Sequence, residues 1–160
     1  MTILTFLRHA TAQDRQLPIP DASRQLISKG KHQAQRVAGF CSKHGLVPGY
    51  LLCSPLVRAL ETAQLLQHNL QGCPQPQTVG WLTGTEPESM ITELEKLAIS
   101  GQNDIWLVGH EPDFSESISL LLGSRETIVK VKKASLIRLE VDFQEGKGQL
   151  LWSIPNTLMK

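Results

Sequence analysis

The sequence predicts an α/β fold, a three-layer α/β/α sandwich around a mostly parallel central sheet. Three observations carry this expectation. Thr2–Leu7, Tyr50–Cys53 and Asp104–Val108 are short, largely apolar runs, the pattern of strands buried on both faces. Between them lie stretches whose apolar residues recur at helical spacing. A chain of 160 residues can bury one core of this kind without disulfides or structural metal, so a single domain over 1–160 is expected.

The first strand runs straight into Arg8-His9. Residues 12–28 hold Pro18, Pro20 and many polar side chains, and read as a long loop over the strand's carboxyl end. Ser28 is placed to cap the next helix, whose body carries Ala34, Val37, Ala38 and Cys41 and ends at Gly45. The second strand, Tyr50–Cys53, is followed by Ser54-Pro55. A helix then runs to about Leu70, with Leu56, Ala59, Leu60, Ala63 and Leu66 on one side. Gln77–Trp81 reads as a short strand. Thr85 or Glu86 opens a helix through Met90, Ile91, Leu94 and Leu97 that Gly101 closes. After the strand Asp104–Val108 and the turn Gly109-His110-Glu111-Pro112, a helix from Asp113 ends at Gly123. Leu136–Val141 and Leu150–Ile154 alternate more strongly and predict a terminal hairpin at the sheet edge.

Composition narrows the function classes. A net charge of +1 argues against a broad nucleic-acid surface, so any basic site must be a local cluster. Cys41, Cys53 and Cys73 lack the close spacing of zinc or redox motifs, and reduced thiols fit a cytoplasmic protein. No basic region leads into an apolar run with a cleavage site, and no run is long enough to span a bilayer. Neither a signal peptide nor a membrane association is therefore expected.

Right-handed crossovers would bring the carboxyl ends of the three parallel strands to one side of the sheet. Those ends carry Arg8-His9, Ser54 to Arg58, and His110. A histidine is a competent nucleophile toward phosphorus when one ring nitrogen is aimed and the other held. A guanidinium fork matches phosphate oxygens, and a helix start already favours anions. Each piece alone has a plainer reading: a surface Arg-His pair, an Arg58–Glu61 surface ion pair, a turn histidine. Together they make a phosphate pocket. Clustered carboxylates of a metal site and glycine-rich nucleotide loops are both missing from the sequence. His32, His44 and His68 read as surface residues, and Lys130, Lys132 and Lys133 as a solvated basic patch, with guidance of an acidic partner to the pocket as the alternative.

On these residues the chain resembles the histidine phosphatase superfamily, also called the phosphoglycerate mutase-like family. The matching motifs are Leu7-Arg8-His9-Ala10, then Ser54-Pro55-x-x-Arg58-Ala59-x-x-Thr62-Ala63, then Val108-Gly109-His110, in that order. The short length, Asp21-x-x-Arg24-x-Leu26-x-x-x-Gly30 and the Gly109–Pro112 turn resemble its small SixA-type branch, the phosphohistidine phosphatases. The resemblance implies that His9 is the phosphorylated nucleophile and that Arg8, Arg58 and His110 bind the phosphoryl group. Arg24 is a further candidate for substrate binding, and no metal or cofactor is implied. The implied substrate is phosphohistidine on a signalling protein such as a histidine phosphotransfer domain. A small phosphate ester is the alternative, and a non-catalytic phosphoprotein-binding module is the alternative outside enzymes. Two departures stand out. Ala10 replaces the family's usual glycine, and the acid that protonates an alcohol leaving group has no clear counterpart. Glu86, Glu111 and Asp21 are its candidates. A pocket poor in acid suits phosphoramidates, because imidazole leaves more readily than an alkoxide.

Overall fold

The computed structural model describes residues 1–160. Its elements follow the expected order. They are β1 (Thr2–Arg8), α1 (Ser28–Lys43), β2 (Tyr50–Cys53), α2 (Val57–Asn69), β3 (Gln77–Thr78), α3 (Pro87–Ile99), β4 (Asp104–Gly109), α4 (Asp113–Leu121), β5 (Leu136–Asp142) and β6 (Lys147–Ile154). The strands form one six-stranded sheet in the order β3-β2-β4-β1-β5-β6. β1 to β4 run parallel, and β5 and β6 add an antiparallel hairpin at the edge.

The apolar runs are continuous because the central strands are covered on both faces. In β4, Ile105 and Leu107 join the core under α3 and α4, while Trp106 and Val108 join the core under α1 and α2. In β1, Leu4 and Phe6 face the first of these cores and Leu7 the second. Successive side chains alternate faces, so one strand feeds both cores. Each fully buried large apolar side chain contributes on the order of 1.5–3 kcal/mol, so β1 and β4 are rigid mounts for whatever follows them.

Three local expectations are corrected. Ser28 is the first residue of α1 rather than its cap; Ile27 takes the cap position, with no side-chain capping bond. The predicted strand Gln77–Trp81 pairs only over Gln77–Thr78, and Gly80–Leu82 turns instead as a single 3₁₀ turn that buries Leu82. β6 begins at Lys147, so Gly148 lies inside the strand. A Cβ there would sit 2.8 Å from the Leu121 carbonyl oxygen, which explains a glycine in a strand. The plainer alternative for Arg58 is set aside as well: it pairs with Asp21 and not with Glu61, whose Oε1 accepts from the Leu26 backbone N–H at 2.9 Å.

The long loop after β1 is built, not slack. Ala12 bridges Leu26 in antiparallel fashion, and the Gln13 N–H donates to the Gln25 carbonyl at 2.8 Å. The Ile27 N–H donates to the Thr11 carbonyl at 3.1 Å. Gly30 packs on this closure so closely that a Cβ would fall 2.0 Å from the Thr11 oxygen. The loop's reach across the strand ends is therefore set by the sheet and by α1.

Candidate active site

The carboxyl ends of β1, β2 and β4 converge as the topology requires. The His9 N–H donates to the Gly109 carbonyl at 2.9 Å and the Ser54 N–H to the Val108 carbonyl at 3.0 Å, sewing the three strand ends together. The His9 and His110 ring centroids lie 5.2 Å apart. Arg8 and His9 line an open cleft of about 740 Å³ whose other walls come from the 12–27 loop and Lys133. Arg58 and His110 do not line that cleft; they are buried beside His9 at 4 % and 6 % exposure.

The proton on the His9 ring can be assigned from its partner. Nδ1 lies 2.7 Å from the Ala10 carbonyl, which can only accept, so Nδ1 carries the hydrogen. Nε2 is left with a free lone pair. Burial, and then the neighbouring His110, Arg58 and Arg8, push the His9 pKa down to about 3, against the carbonyl bond that raises it. The ring is therefore neutral at pH 7. The Ala10 N–H donates to Thr62 Oγ1 at 3.1 Å, and the Thr62 hydroxyl donates to the Arg58 carbonyl at 2.7 Å. Thr62 thus ties the His9-Ala10 turn to the helix that carries Arg58. Ala10 itself is fully buried.

His110 is held from the opposite edge. Its Nε2 lies 2.7 Å from Ser54 Oγ, which lies 2.8 Å from Thr83 Oγ1 and accepts from the Leu56 N–H at 3.2 Å. The other ring nitrogen, Nδ1, is buried with no partner in the protein. Burial and then the Arg58 charge push the His110 pKa down to about 4. Both histidines are neutral at pH 7, and the positive charge of the site resides on its arginines.

The arginines divide their donors between the scaffold and the site. Arg8 Nη1 donates to the Val131 carbonyl at 2.9 Å. Arg58 Nη1 donates to the Asp21 carbonyl at 2.9 Å and Nη2 to Asp21 Oδ2 at 3.2 Å. The Nε of each is buried without a partner. Arg24 is 5 % exposed; its Nε donates to Asp21 Oδ1 at 2.9 Å and its Nη1 to the Gln13 carbonyl at 2.7 Å. Its geometry is that of a buttress holding Asp21 against Arg58, although it also borders the cleft.

The three acids expected as proton donors separate. Asp21 bonds Arg24 and Arg58, and the Arg24 hydrogen bond above all holds its carboxyl below the usual range, so it stays ionised and is a poor acid. Glu86 is exposed at the start of α3 and lines a different groove, against α4 and the 124–127 loop. Glu111 Oε1 accepts from the Ser115 N–H at 2.8 Å, capping the first turn of α4. The sequence reading passed over Asp113. It is buried, accepts from the Gly84 N–H at 2.9 Å, and pins the loop that carries Thr83. It also passed over the roles of Thr83, Thr62 and Ser54 as links between strand ends. A serine or threonine after a strand, in a helix or beside a turn carries no sequence signal that it links two elements. Lys133, read as part of a solvated patch, borders the cleft beside Arg8.

Residues 4–79 match the model of the histidine phosphatase superfamily (branch 1). An uncharacterised protein of Picosynechococcus is 33% identical over 141 residues, covering 85% of this chain and 83% of that protein. The chain belongs to the histidine phosphatase superfamily. Among solved structures, the protein histidine phosphatase SixA complexed with tungstate aligns over 99% of this chain and 100% of its own, with a TM-score of 0.89 at 18% identity. A putative phosphohistidine phosphatase SixA from Agrobacterium tumefaciens aligns over 96% and 97%, with a TM-score of 0.82 at 19% identity. The fold is therefore the phosphoglycerate mutase-like fold, with four helices on its six-stranded sheet.

Proposed function

We propose that this protein is a phosphohistidine phosphatase that works through a phosphohistidine on its own His9. The observation that carries the reading is the His9 ring: neutral, its hydrogen on Nδ1 facing the Ala10 carbonyl, its Nε2 lone pair free, with His110, Arg58 and Arg8 around it. Nε2 attacks phosphorus in line. The new P–N bond forms as the bond to the leaving group breaks, and the electron pair of that bond departs on the leaving atom. Arg8 and Arg58 stabilise the charge on the phosphoryl oxygens.

The leaving group follows from the acids. Asp21 is ionised, Glu86 lies in another groove, and Glu111 caps α4. An alkoxide would leave unassisted. A phosphohistidine protonated on its other ring nitrogen leaves as a neutral imidazole and needs no donor from the enzyme. The same chemistry serves the second half. With Nε2 phosphorylated and Nδ1–H still on the Ala10 carbonyl, His9 is itself a protonated phosphohistidine. Water attacks phosphorus as the P–N bond breaks, both its protons stay with the phosphate product, the electron pair of that bond returns to Nε2, and His9 regains its starting tautomer.

His110 has a matching task. With the Thr83 hydroxyl donating to Ser54 Oγ and the Ser54 hydroxyl donating to His110 Nε2, the neutral ring keeps its hydrogen on Nδ1. A neutral histidine then offers a phosphoryl oxygen a hydrogen-bond donor at the atom that has no partner within the protein. The substrate is phosphohistidine on a protein, such as a phosphotransfer domain of a signalling relay, and the cleft's open mouth accords with a protein-borne group. Rapid-quench labelling tests the reading. A phosphohistidine protein should label His9 transiently and release phosphate, His9→Ala should do neither, and faster turnover of simple alkyl phosphates would refute the assignment of leaving group.

A further inference from the structure

Beside the His9 cleft lies a second, basic face that the chemistry above does not use. It starts at Arg8 and Lys133, which border both the cleft and an adjoining hollow lined by Lys29 and Lys132. From Lys29 it continues along α1, where Lys29, His32, Gln33 and Arg36 recur at helical spacing and line one further hollow. The three hollows share residues and form one groove.

The groove is built rather than incidental. The Lys132-Lys133 segment is fixed to the catalytic strand from both sides: Arg8 Nη1 donates to the Val131 carbonyl, and the Ala134 N–H donates back to the Arg8 carbonyl at 2.9 Å. Holding it there places the buried Ala134 at φ 53, a left-handed conformation rare for alanine. The floor is polar and internally satisfied. Asn156 Nδ2 donates to the Ala134 and Gln33 carbonyls at 3.0 Å each, and Gln33 Oε1 accepts from the Thr11 N–H and hydroxyl at 2.9 Å each.

The charge of the groove is largely uncompensated, since Asp14, at the cleft end, is the one acid among the residues lining the three hollows. The structure contains ion pairs at Arg24–Asp21, Arg58–Asp21 and Lys96–Glu93 only, so Lys29, Lys132, Lys133 and Arg36 have no acidic partner. Lys29, Arg36, Lys132 and Lys133 are all exposed. In a chain of net charge +1, this concentrates cations on one face. Lys29 to Arg36 spans about 10 Å of helix at 1.5 Å per residue, beyond the cleft itself. That is longer than a small phosphate compound and suits a protein surface.

We propose that this groove docks an acidic protein surface whose carboxylates flank the phosphorylated histidine, with Lys29, Lys132, Lys133 and Arg36 as the receiving cations. The inference rests on the phosphohistidine reading of the His9 site. It makes the groove the determinant of which phosphohistidine protein is accepted, and Arg8 the hinge between recognition and chemistry.

The test uses two synthetic phosphohistidine peptides that differ only in flanking residues, glutamate in one and glutamine in the other. The wild-type protein should favour the acidic peptide by roughly tenfold in kcat/KM at low salt, and lose most of that preference at 0.5 M salt, where exposed charges are screened. The variant Lys29→Gln/Arg36→Gln/Lys132→Gln changes no residue of the His9 cleft. It should keep the wild-type rate on the glutamine peptide and lose the preference through a higher KM. Equal rates on both peptides, or an unchanged preference in the variant, would overturn the groove's role and leave the phosphohistidine reading standing. No turnover of either peptide, with a small phosphate ester cleaved, would overturn the reading and the docking proposal together. Duplex DNA bound more tightly than the acidic peptide at equal ionic strength would overturn the assignment of the face to protein.

Discussion

Both histidines of the candidate site are buried and neutral, and this makes the protein acid-labile in a calculable way. His9 titrates near 3 and His110 near 4 in the folded state. In the unfolded chain both return to the ordinary value of about 6.5. The folded values are depressed, so below pH 6.5 the unfolded chain binds more protons. Stability falls as pH falls, until each folded pKa is reached. The slope is roughly 1.4 kcal/mol per pH unit per ring, so between pH 7 and pH 4.5 each histidine costs about 2.5 kcal/mol, and the pair about 5 kcal/mol. That is comparable to the whole stability of many domains. Urea unfolding at pH 7, 5.5 and 4.5 measures the loss. His9→Ala should shrink the drop between pH 7 and 4.5 by about 2.5 kcal/mol, and His110→Ala by a similar amount. Asp21 has a depressed pKa and titrates below this window. Asp113 has a raised pKa and acts in the opposite direction, but equally in every variant. Identical pH dependence in wild type and His9→Ala would refute the neutral, desolvated imidazole, and with it the free Nε2 lone pair on which the proposed attack depends.

Three further outcomes follow from the same geometry. Ser54→Ala leaves His110 Nε2 without its partner, so the ring is free to adopt the tautomer that lacks a donor at Nδ1; kcat should fall roughly 10- to 100-fold with KM little changed, and a fold intact by circular dichroism but an unaltered kcat would refute the relay. Asp21→Asn keeps the hydrogen bond from Arg58 to the carbonyl of residue 21 but removes the charge shared by Arg24 and Arg58, so KM for phosphohistidine substrates should rise several-fold in steady-state assays, while the buried Arg24 destabilises the loop by roughly 1–3 kcal/mol. Gly30→Ala forces a Cβ into the Thr11 carbonyl at 2.0 Å, so the 12–27 loop must move; a melting temperature lowered by several degrees and a higher KM are expected, and wild-type values for both would show that the closure is not what shapes the cleft.

What the sequence determined by itself was the architecture and the cluster of reactive groups. Strands covered on both faces read as unbroken apolar runs, and helices between them read by their spacing, so β1, β2, β4 and all four helices were legible. Parallel connection then obliges Arg8-His9, Arg58 and His110 to meet, because the strands that carry them end on one side of one sheet. The weakly paired β3 and the true start of β6 were not legible, since two-residue pairing and a glycine packed on a carbonyl leave no periodic trace. Only the tertiary structure decided which hydrogen sits on which nitrogen. That depends on the Ala10 carbonyl 2.7 Å from His9 Nδ1 and on Ser54 at the same distance from His110 Nε2, contacts set by how three strand ends abut. It likewise decided that Asp21 serves an ion pair, that Glu86 faces another groove, and that Lys133 stands beside Arg8. A carboxylate or an ammonium looks the same in any sequence; its pKa and its role come from the dielectric and the charges that the fold places around it.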